Sequence, residues 1–180
     1  PGPAPLVGEP PVFPVRLVRR EDMAEGVARF EFAALEDGRD LPPFEAGAHV
    51  DVVVAPEYQR AFSLAGDPAD RSRYVLGVQR EAPPSEGGHG RGGSALMFRA
   101  FRPGRKVFVS RPRNHFALDE GASHSLLLAG GIGITPLLAM ARRLHALGRP
   151  FSLHYSARSR LAAGFVDELL GAPWRDRVAL

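Results

Sequence analysis

Cysteine is absent from the 180 residues, and its absence limits the chemistry of the chain. Without thiols, these residues form no disulfide, no thiolate metal site and no cysteine-ligated iron–sulfur cluster. The six histidines are scattered, and none has metal-ligand spacing to another histidine beside carboxylates. We therefore expect structural or surface roles for the histidines and no metal site.

Lysine and long apolar runs are also scarce. Lys106 is the only lysine, so the net charge of +3 is carried by arginine. Basic clusters interleaved with stacking aromatics are missing, so we expect no nucleic-acid partner, and the pairs Arg19-Arg20 and Arg142-Arg143 are predicted to lie on solvated faces. A less favoured alternative is that some arginines steer an acidic electron-transfer partner. With no export leader and no apolar run of about 18 residues, the sequence predicts a cytoplasmic protein that does not enter a membrane.

Two patterns divide the chain. Residues 1–13 are rich in proline and predict an extended lead-in. Short alternating apolar runs then predict an antiparallel barrel or sandwich, with strands at 15–19, 27–34, 49–54, 61–64, 74–78 and 106–109. From residue 117, strands alternate with helices: strand 125–129, helix 136–147 ending at Gly148, strand 151–155, helix 162–170 and the opening of a third strand at 177–180. The apolar stripe of the first of these helices is assigned to the core: Leu137, Leu138, Ala141, Leu144 and Leu147.

The run from Gly130 to Pro136 joins an apolar strand to a helix through three glycines. Glycines let a ligand approach the backbone, and a helix N-terminus presents unpaired N–H groups to an anion. Thr135 is predicted to cap the helix, with Pro136 at its first position. The spacing differs from the G-x-G-x-x-G dinucleotide fingerprint, so this turn alone favours a plain structural connection.

A second glycine turn, Gly90 to Ser94, opens a short apolar helix that Ser94 is predicted to cap. Upstream, strand alternation places Arg60 and Phe62 on one face, and Ala61 and Ser63 on the other. Arginine can hold a phosphate, an aromatic ring can pack on a flat cofactor and serine can hydrogen-bond its edge. Each residue alone is more often structural, but together they predict a binding site. The polar loop 80–89 is expected to be mobile until a ligand orders it.

These motifs, in this order, resemble the ferredoxin-NADP reductase-like flavoproteins, in particular the phthalate dioxygenase reductase type and its vanillate demethylase relatives. The resemblance runs from about residue 14 to the end and includes segments 110–116 and 154–159. It implies a β + α/β fold. Residues 14–116 would form an antiparallel six-stranded flavin-binding β-barrel, and 117–180 the first part of a Rossmann-like, parallel-sheet NAD(P)-binding domain.

The resemblance also implies a chemistry, in which a nicotinamide gives hydride to flavin N5 and the reduced flavin passes single electrons to an iron–sulfur acceptor. Arg60 and Ser94 would hold the flavin phosphate, Phe62 would pack on the flavin, and Ser63 would be the catalytic residue near N5. The remaining residues that the resemblance assigns are Ala61, Val78, Arg80, Gly92 and Gly93 at the flavin, and Gly131, Ile134, Thr135 and Arg158 at the nicotinamide nucleotide.

The short glycine loop favours FMN over FAD, and we expect NADH rather than NADPH. Family members continue with the rest of the nucleotide domain and a 2Fe-2S ferredoxin domain, so we expect these residues to be part of a longer chain. The iron–sulfur acceptor would be its own C-terminal domain, a ferredoxin or an oxygenase. Two alternatives remain open: a flavin-binding electron-transfer fragment without turnover, and a structural barrel without a cofactor.

Overall fold

The computed structural model describes residues 12–56, 58–81 and 92–180, which form two β-sheets and three α-helices. The strands are β1 (Val12–Ala24), β2 (Val27–Ala34), β3 (His49–Ala55), β4 (Tyr58–Ser63), β5 (Tyr74–Gln79), β6 (Lys106–Ser110), β7 (Ser125–Gly130), β8 (Phe151–Ser156) and β9 (Val178–Ala179). The helices are α1 (Gly93–Ala100), α2 (Ile134–Ala146) and α3 (Val166–Gly171). Within the described ranges, no helix has the length and apolar character needed to cross a bilayer.

The six N-terminal strands form one antiparallel sheet in the order β4-β3-β6-β1-β2-β5. A bridge between Leu64 and Leu76 brings the two outer strands together and closes the sheet into a barrel. Alternate residues of β3 point inward and are buried, as expected for a barrel wall. Helix α1 covers one end, with Phe101 buried and Phe98 packed edge-on against Phe30. The predicted antiparallel part of the fold is confirmed.

Strand β1 begins at Val12, inside the segment expected to be a lead-in, and residues 1–11 lie outside the described residues. It extends beyond the predicted 15–19 because it pairs with two neighbours over different stretches. Pro14 lies where β1 pairs with β6 alone, since pairing with β2 begins at Val15. A proline is tolerated there because one side of the strand has no ladder to donate to.

The C-terminal strands form a parallel sheet in the order β7-β8-β9, so the predicted α/β part is also confirmed. Helix α2 buries Leu138 and Leu144, and Gly148 ends the helical segment with φ +66°. Leu147 lies beyond the last helical residue and is 39% exposed, so its assignment to the core is wrong. On β7, the outermost strand, Leu126 and Leu128 are exposed.

The helix predicted at 162–170 is interrupted. A 3-10 turn at Arg160–Ala162 precedes α3, which begins only at Val166. Between them, a Cβ on Gly164 would lie 2.7 Å from Val27 Cγ1, and Phe165 adopts a positive φ of 65° with its side chain buried. The left-handed backbone at Phe165 breaks the helix because tertiary packing of this ring outweighs local helix propensity.

Candidate functional site

Strand β4 presents two different faces, as its alternation predicts. Arg60 pairs with Val52 and Phe62 pairs with Val50, and both valines are fully buried. Arg60 and Phe62 therefore share the barrel's inner face with Tyr58, two residues earlier. Ala61 and Ser63 lie on the opposite face.

Ser63 is the direct cross-strand neighbour of His49. His49 and Arg113 exchange two backbone hydrogen bonds of 2.9 Å on the other side of β3, so His49 and Ser63 form the closer, non-hydrogen-bonded type of pair. Burial lowers the pKa of His49, and Arg113 and the ring of His115, 5.4 Å away, lower it further against the opposing effect of Asp51. Since its pKa falls below the ordinary value, His49 is neutral at neutral pH.

The start of α1 packs directly on β4. Gly92 is the N-cap with φ +67°, and Gly93 is the first helical residue. A Cβ on Gly93 would lie 2.7 Å from Tyr58 Cε1, 2.9 Å from Tyr58 Oη and 3.0 Å from Arg60 Cγ. Only glycine allows the helix N-terminus to approach the arginine so closely.

Ser94 is not the helix cap that the sequence predicts. It is the second helical residue and is buried, and its hydroxyl oxygen accepts the backbone N–H of Glu81 at 2.9 Å. The chain leaving β5 passes over the helix start and uses this hydroxyl oxygen instead. Because one lone pair of Ser94 Oγ is occupied, its O–H is left to donate.

Charged and polar groups converge at this corner. Arg60 Nη2 donates to Glu81 Oε1. Tyr58 Oη and Glu81 Oε2 are buried and have no hydrogen-bond partner within the part of the chain that the structure describes. Buried polar atoms without a partner are uncommon in proteins and call for an explanation. The guanidinium, the Ser94 hydroxyl and the N–H groups of the first turn of α1 form a donor set that fits a phosphate monoester.

Arg80 lies at the other side of α1. Its backbone N–H donates to Gly26 O at 2.7 Å, and its guanidinium lies 5.8 Å from the ring centre of Phe98. Arg20 lies 5.4 Å from the same ring and donates to Phe98 O at 2.9 Å, with its side chain only 16% exposed. The prediction that Arg20 lies on a solvated face is therefore wrong. Val78, also predicted at the flavin, is fully buried in β5.

The second glycine turn is more open. A 3-10 turn, Gly131–Gly133, leads from β7 into α2, and Gly131 has φ +51°. A Cβ on Gly130, Gly131 or Gly133 would meet nothing within 4 Å. A hollow of about 470 Å³ lies beside it, lined in part by Gly130 and by Ser156 at the end of β8. Carboxyl ends of parallel strands are where α/β sheets bind their ligands.

Thr135 is not the cap of α2, because Gly133 occupies that position and Thr135 is the second helical residue. Its hydroxyl donates to Ile132 O at 3.0 Å, and Ile134 and Thr135 are both buried. The backbone N–H of Ile134 donates to Gly131 O and Ile132 O within the turn, so neither this N–H nor the bonded Thr135 hydroxyl proton is left for a nucleotide. Arg158, by contrast, is exposed in the loop after β8.

The barrel and the α/β part are joined at a polar interface. Arg29 of β2 donates to Glu168 of α3 at 2.6 Å, and Arg142 of α2 donates to Glu168 and to the carbonyl oxygen of Ala65. Burial lowers the pKa of Arg142, and nearby Arg29 acts in the same direction. The predicted solvated face is wrong for Arg142. Next to this network, a Cβ on Gly77 would lie 2.6 Å from Phe165 Cε2.

Two residues of the corner at α1 were missed by sequence reasoning. Tyr58 could have been found, because it continues the period-two face of Arg60 and Phe62. Glu81 carries no such signal, since an acidic residue is not expected beside an anion site. Gly90, Arg91 and most of the predicted mobile loop lie outside the described residues.

Known proteins are similar to this chain in sequence and in fold. The chain is 50% identical over 149 residues to phenoxybenzoate dioxygenase subunit beta of Ectopseudomonas oleovorans, covering 82% of this chain and 44% of the relative. It is 43% identical over 162 residues to vanillate O-demethylase oxidoreductase of Pseudomonas putida, covering 90% and 49%. The solved structure of phthalate dioxygenase reductase superposes with a TM-score of 0.85 at 41% identity, covering 93% of this chain and 50% of the other. The chain belongs to this reductase family.

The chain spans about half the length of the curated reductases it matches. No protein-family model matches it. The phthalate dioxygenase reductase structure is described as modular, for electron transfer from pyridine nucleotides to [2Fe-2S]. The family membership was predicted from the order of the motifs and is confirmed.

Proposed function

We propose that this chain carries the flavin site and part of the nicotinamide-nucleotide site of an oxygenase reductase, passing electrons from NADH through FMN to an iron–sulfur acceptor. The observation that carries the proposal is the corner where Arg60, Gly93 and the Ser94 hydroxyl meet at the N-terminus of α1. The names of the relatives support the reaction class.

Within the flavin half, residues 14–116, we assign the phosphate to Arg60, the Ser94 O–H and the amides of Gly92 and Gly93. Phe62 lies two residues from Arg60 on the same face and would pack on the flavin ring. Ser63 would hydrogen-bond near N5, with Ala61 on the same face of β4, and Val78 and Arg80 would meet the pyrimidine edge through backbone and charge. A bound flavin accepts a hydride equivalent and releases its electrons one at a time.

Within the nucleotide half, residues 117–180, the turn at Gly131 would receive the nicotinamide nucleotide. Ile134 and Thr135 are assigned with it because they begin α2, where the helix dipole favours an anion, although the Ile134 N–H itself already donates to Gly131 O and Ile132 O. Arg158 would approach the ribose or a phosphate. The interface between Arg142, Glu168 and Arg29 fixes this turn relative to the barrel, which positions the two cofactors for transfer.

FMN rather than FAD, and NADH rather than NADPH, are part of the proposal, as are the cytoplasmic location and an iron–sulfur acceptor in a C-terminal domain, a ferredoxin or an oxygenase. FMN is supported by the corner at Gly93, which offers one compact set of phosphate donors. NADH remains the preferred nucleotide although Arg158 and Arg160 are both exposed.

Anaerobic addition of NADH to the purified chain loaded with FMN tests the proposal. We expect the visible absorbance of the flavin to bleach. Bound flavin that stays oxidised would favour the electron-transfer fragment without turnover, whereas failure to bind FMN would favour the structural barrel. The variant Arg158→Ala should slow bleaching without altering FMN affinity, which separates the two halves of the site.

A further inference from the structure

We propose that Glu81 competes with the flavin phosphate for Arg60 and thereby limits the affinity of the site for phosphorylated flavin. This inference rests on the proposed function, because it concerns the same phosphate-binding arginine. Glu81 lies outside the sequence motifs, and the proposal gives it a role in the affinity for flavin.

The position of Glu81 supports this role. Its backbone N–H is held by Ser94 Oγ at 2.9 Å, so the residue is anchored at the first turn of α1. Its carboxylate accepts from Arg60 Nη2 through Oε1. Ser94 and Arg60, the two side chains assigned to the phosphate, are thus both bonded to Glu81.

The second carboxylate oxygen of Glu81 has a different environment from the first. Glu81 Oε2 is buried and accepts no hydrogen bond from the described residues, so this carboxylate is only half satisfied. A buried carboxylate oxygen without a hydrogen-bond donor is energetically unfavourable. The ion pair between Glu81 and Arg60 compensates for this cost and explains why the carboxylate lies here. Arg60 itself is about one-third exposed, so a ligand can reach it.

Electrostatics give the sign of the effect. A phosphate monoester that binds Arg60 brings about two negative charges next to a third on Glu81. Like charges at contact distance repel. The Arg60 and Glu81 side chains are 34% and 38% exposed, so water weakens this repulsion without removing it. Removing the Glu81 charge should therefore strengthen binding of a phosphorylated flavin and leave a flavin without phosphate unaffected.

The experiment compares FMN with riboflavin, which lacks the phosphate. Flavin-free wild type and Glu81→Gln are titrated with each ligand, and the quenching of flavin fluorescence gives the dissociation constants. We expect Glu81→Gln to bind FMN about tenfold more tightly than wild type, with riboflavin affinity changed less than about twofold. The flavin-free variant should also melt at a lower temperature, because Arg60 loses its partner.

Two variants complete the test. Glu36→Gln removes the same charge from an exposed pair with Arg39 in a distant loop, and it should leave both affinities unchanged. Glu81→Ala removes the side chain altogether and should also tighten FMN binding, which guards against a folding defect specific to the glutamine. Circular dichroism checks that each variant is folded.

Weaker or unchanged FMN affinity in Glu81→Gln would overturn the inference, since Glu81 would then hold Arg60 in place for the phosphate. An equal gain for riboflavin and FMN would overturn it as well, because the effect would not act through the phosphate. Failure of wild type and all variants to bind either flavin would instead refute the proposed function, and the inference with it.

Discussion

The two glycine turns of this chain each lead into a helix N-terminus, but their surroundings differ. At Gly92–Gly93, the turn is packed: a Cβ on Gly93 would collide with Tyr58 and Arg60, and side chains supply donors. At Gly131–Gly133, the turn is open, and a Cβ on Gly131 or Gly133 would meet nothing within 4 Å. Glycine is therefore required by packing at Gly93, but by backbone conformation at Gly92 and Gly131, which both have a positive φ and an open Cβ position. The same residue type has different consequences when it is replaced.

The two turns lie in different parts of the chain, and Arg142 helps to fix those parts relative to each other. Replacing Arg142 should have the largest effect. The substitution Arg142→Ala removes one of the two arginines that bind Glu168, and it leaves the carbonyl oxygen of Ala65 without its donor. We expect the free energy of unfolding to fall by about 3 kcal/mol. Arg143→Ala, the adjacent residue in an exposed pair with Glu120, should change little. Urea unfolding of both variants measures the difference, and equal losses would show that Arg142 does not join the two parts.

Gly93→Ala tests the packed turn. The added methyl group must displace the Tyr58 ring or the stem of Arg60, and we expect about 2 kcal/mol of destabilisation. FMN affinity should fall at least tenfold, because α1 moves away from Arg60. Gly171→Ala adds a methyl group at a position where nothing lies within 4 Å and φ is not positive, so it serves as the control. Retained FMN affinity in Gly93→Ala would contradict the packed reading of this turn.

The open turn is tested by a pair of substitutions. Gly131→Ala places a side chain at φ +51° and should cost about 1 kcal/mol in stability. Gly133 has φ −60°, so Gly133→Ala should leave stability nearly unchanged. Both should slow the bleaching of bound FMN by NADH, since a methyl group enters the space assigned to the nucleotide. Normal bleaching in Gly133→Ala would mean that the nucleotide lies elsewhere.

The smallest expected effect concerns pH. Burial and Arg113 lower the pKa of His49 in the folded chain, so His49 binds a proton more tightly in the unfolded chain than in the folded chain. Stability should therefore fall as pH drops below the unfolded value of about 6.5. His49→Gln should show a shallower decline between about pH 7 and 5 in thermal melts. His154→Gln, on an exposed residue of β8, should follow the wild-type slope.

Much of the fold was predictable because it is encoded locally. Strand β2 was predicted with both of its ends, since its alternating run is bounded by turn residues. The order of motifs identified the family. Arg142 and Arg143 show the limit: they are adjacent and chemically identical, yet one enters an interface and the other stays in solvent. Which arginine is buried depends on the angle at which α2 packs against the barrel, and this angle cannot be predicted from the local sequence pattern.

The site was predicted at the level of motifs and less well at the level of atoms. Arg60 and Ser94 both contact Glu81, but neither Ser94 nor Thr135 caps its helix, because each helix begins one residue earlier and has a glycine at the N-cap. Glu81 could not be predicted as a neighbour of Arg60, since their contact depends on how the chain leaves β5. The ligand-binding roles assigned to all of the site residues stay predictions.

Phe165 combines an unfavourable backbone with a buried ring, and this has a consequence for protein engineering. Stabilising designs commonly replace a residue of positive φ with glycine, which here would relieve about 1 kcal/mol of strain. The same substitution would empty the space beside Gly77 and remove a phenyl ring, at a cost of about 3–5 kcal/mol. A thermostabilised version of this chain should therefore keep Phe165 in spite of its positive φ.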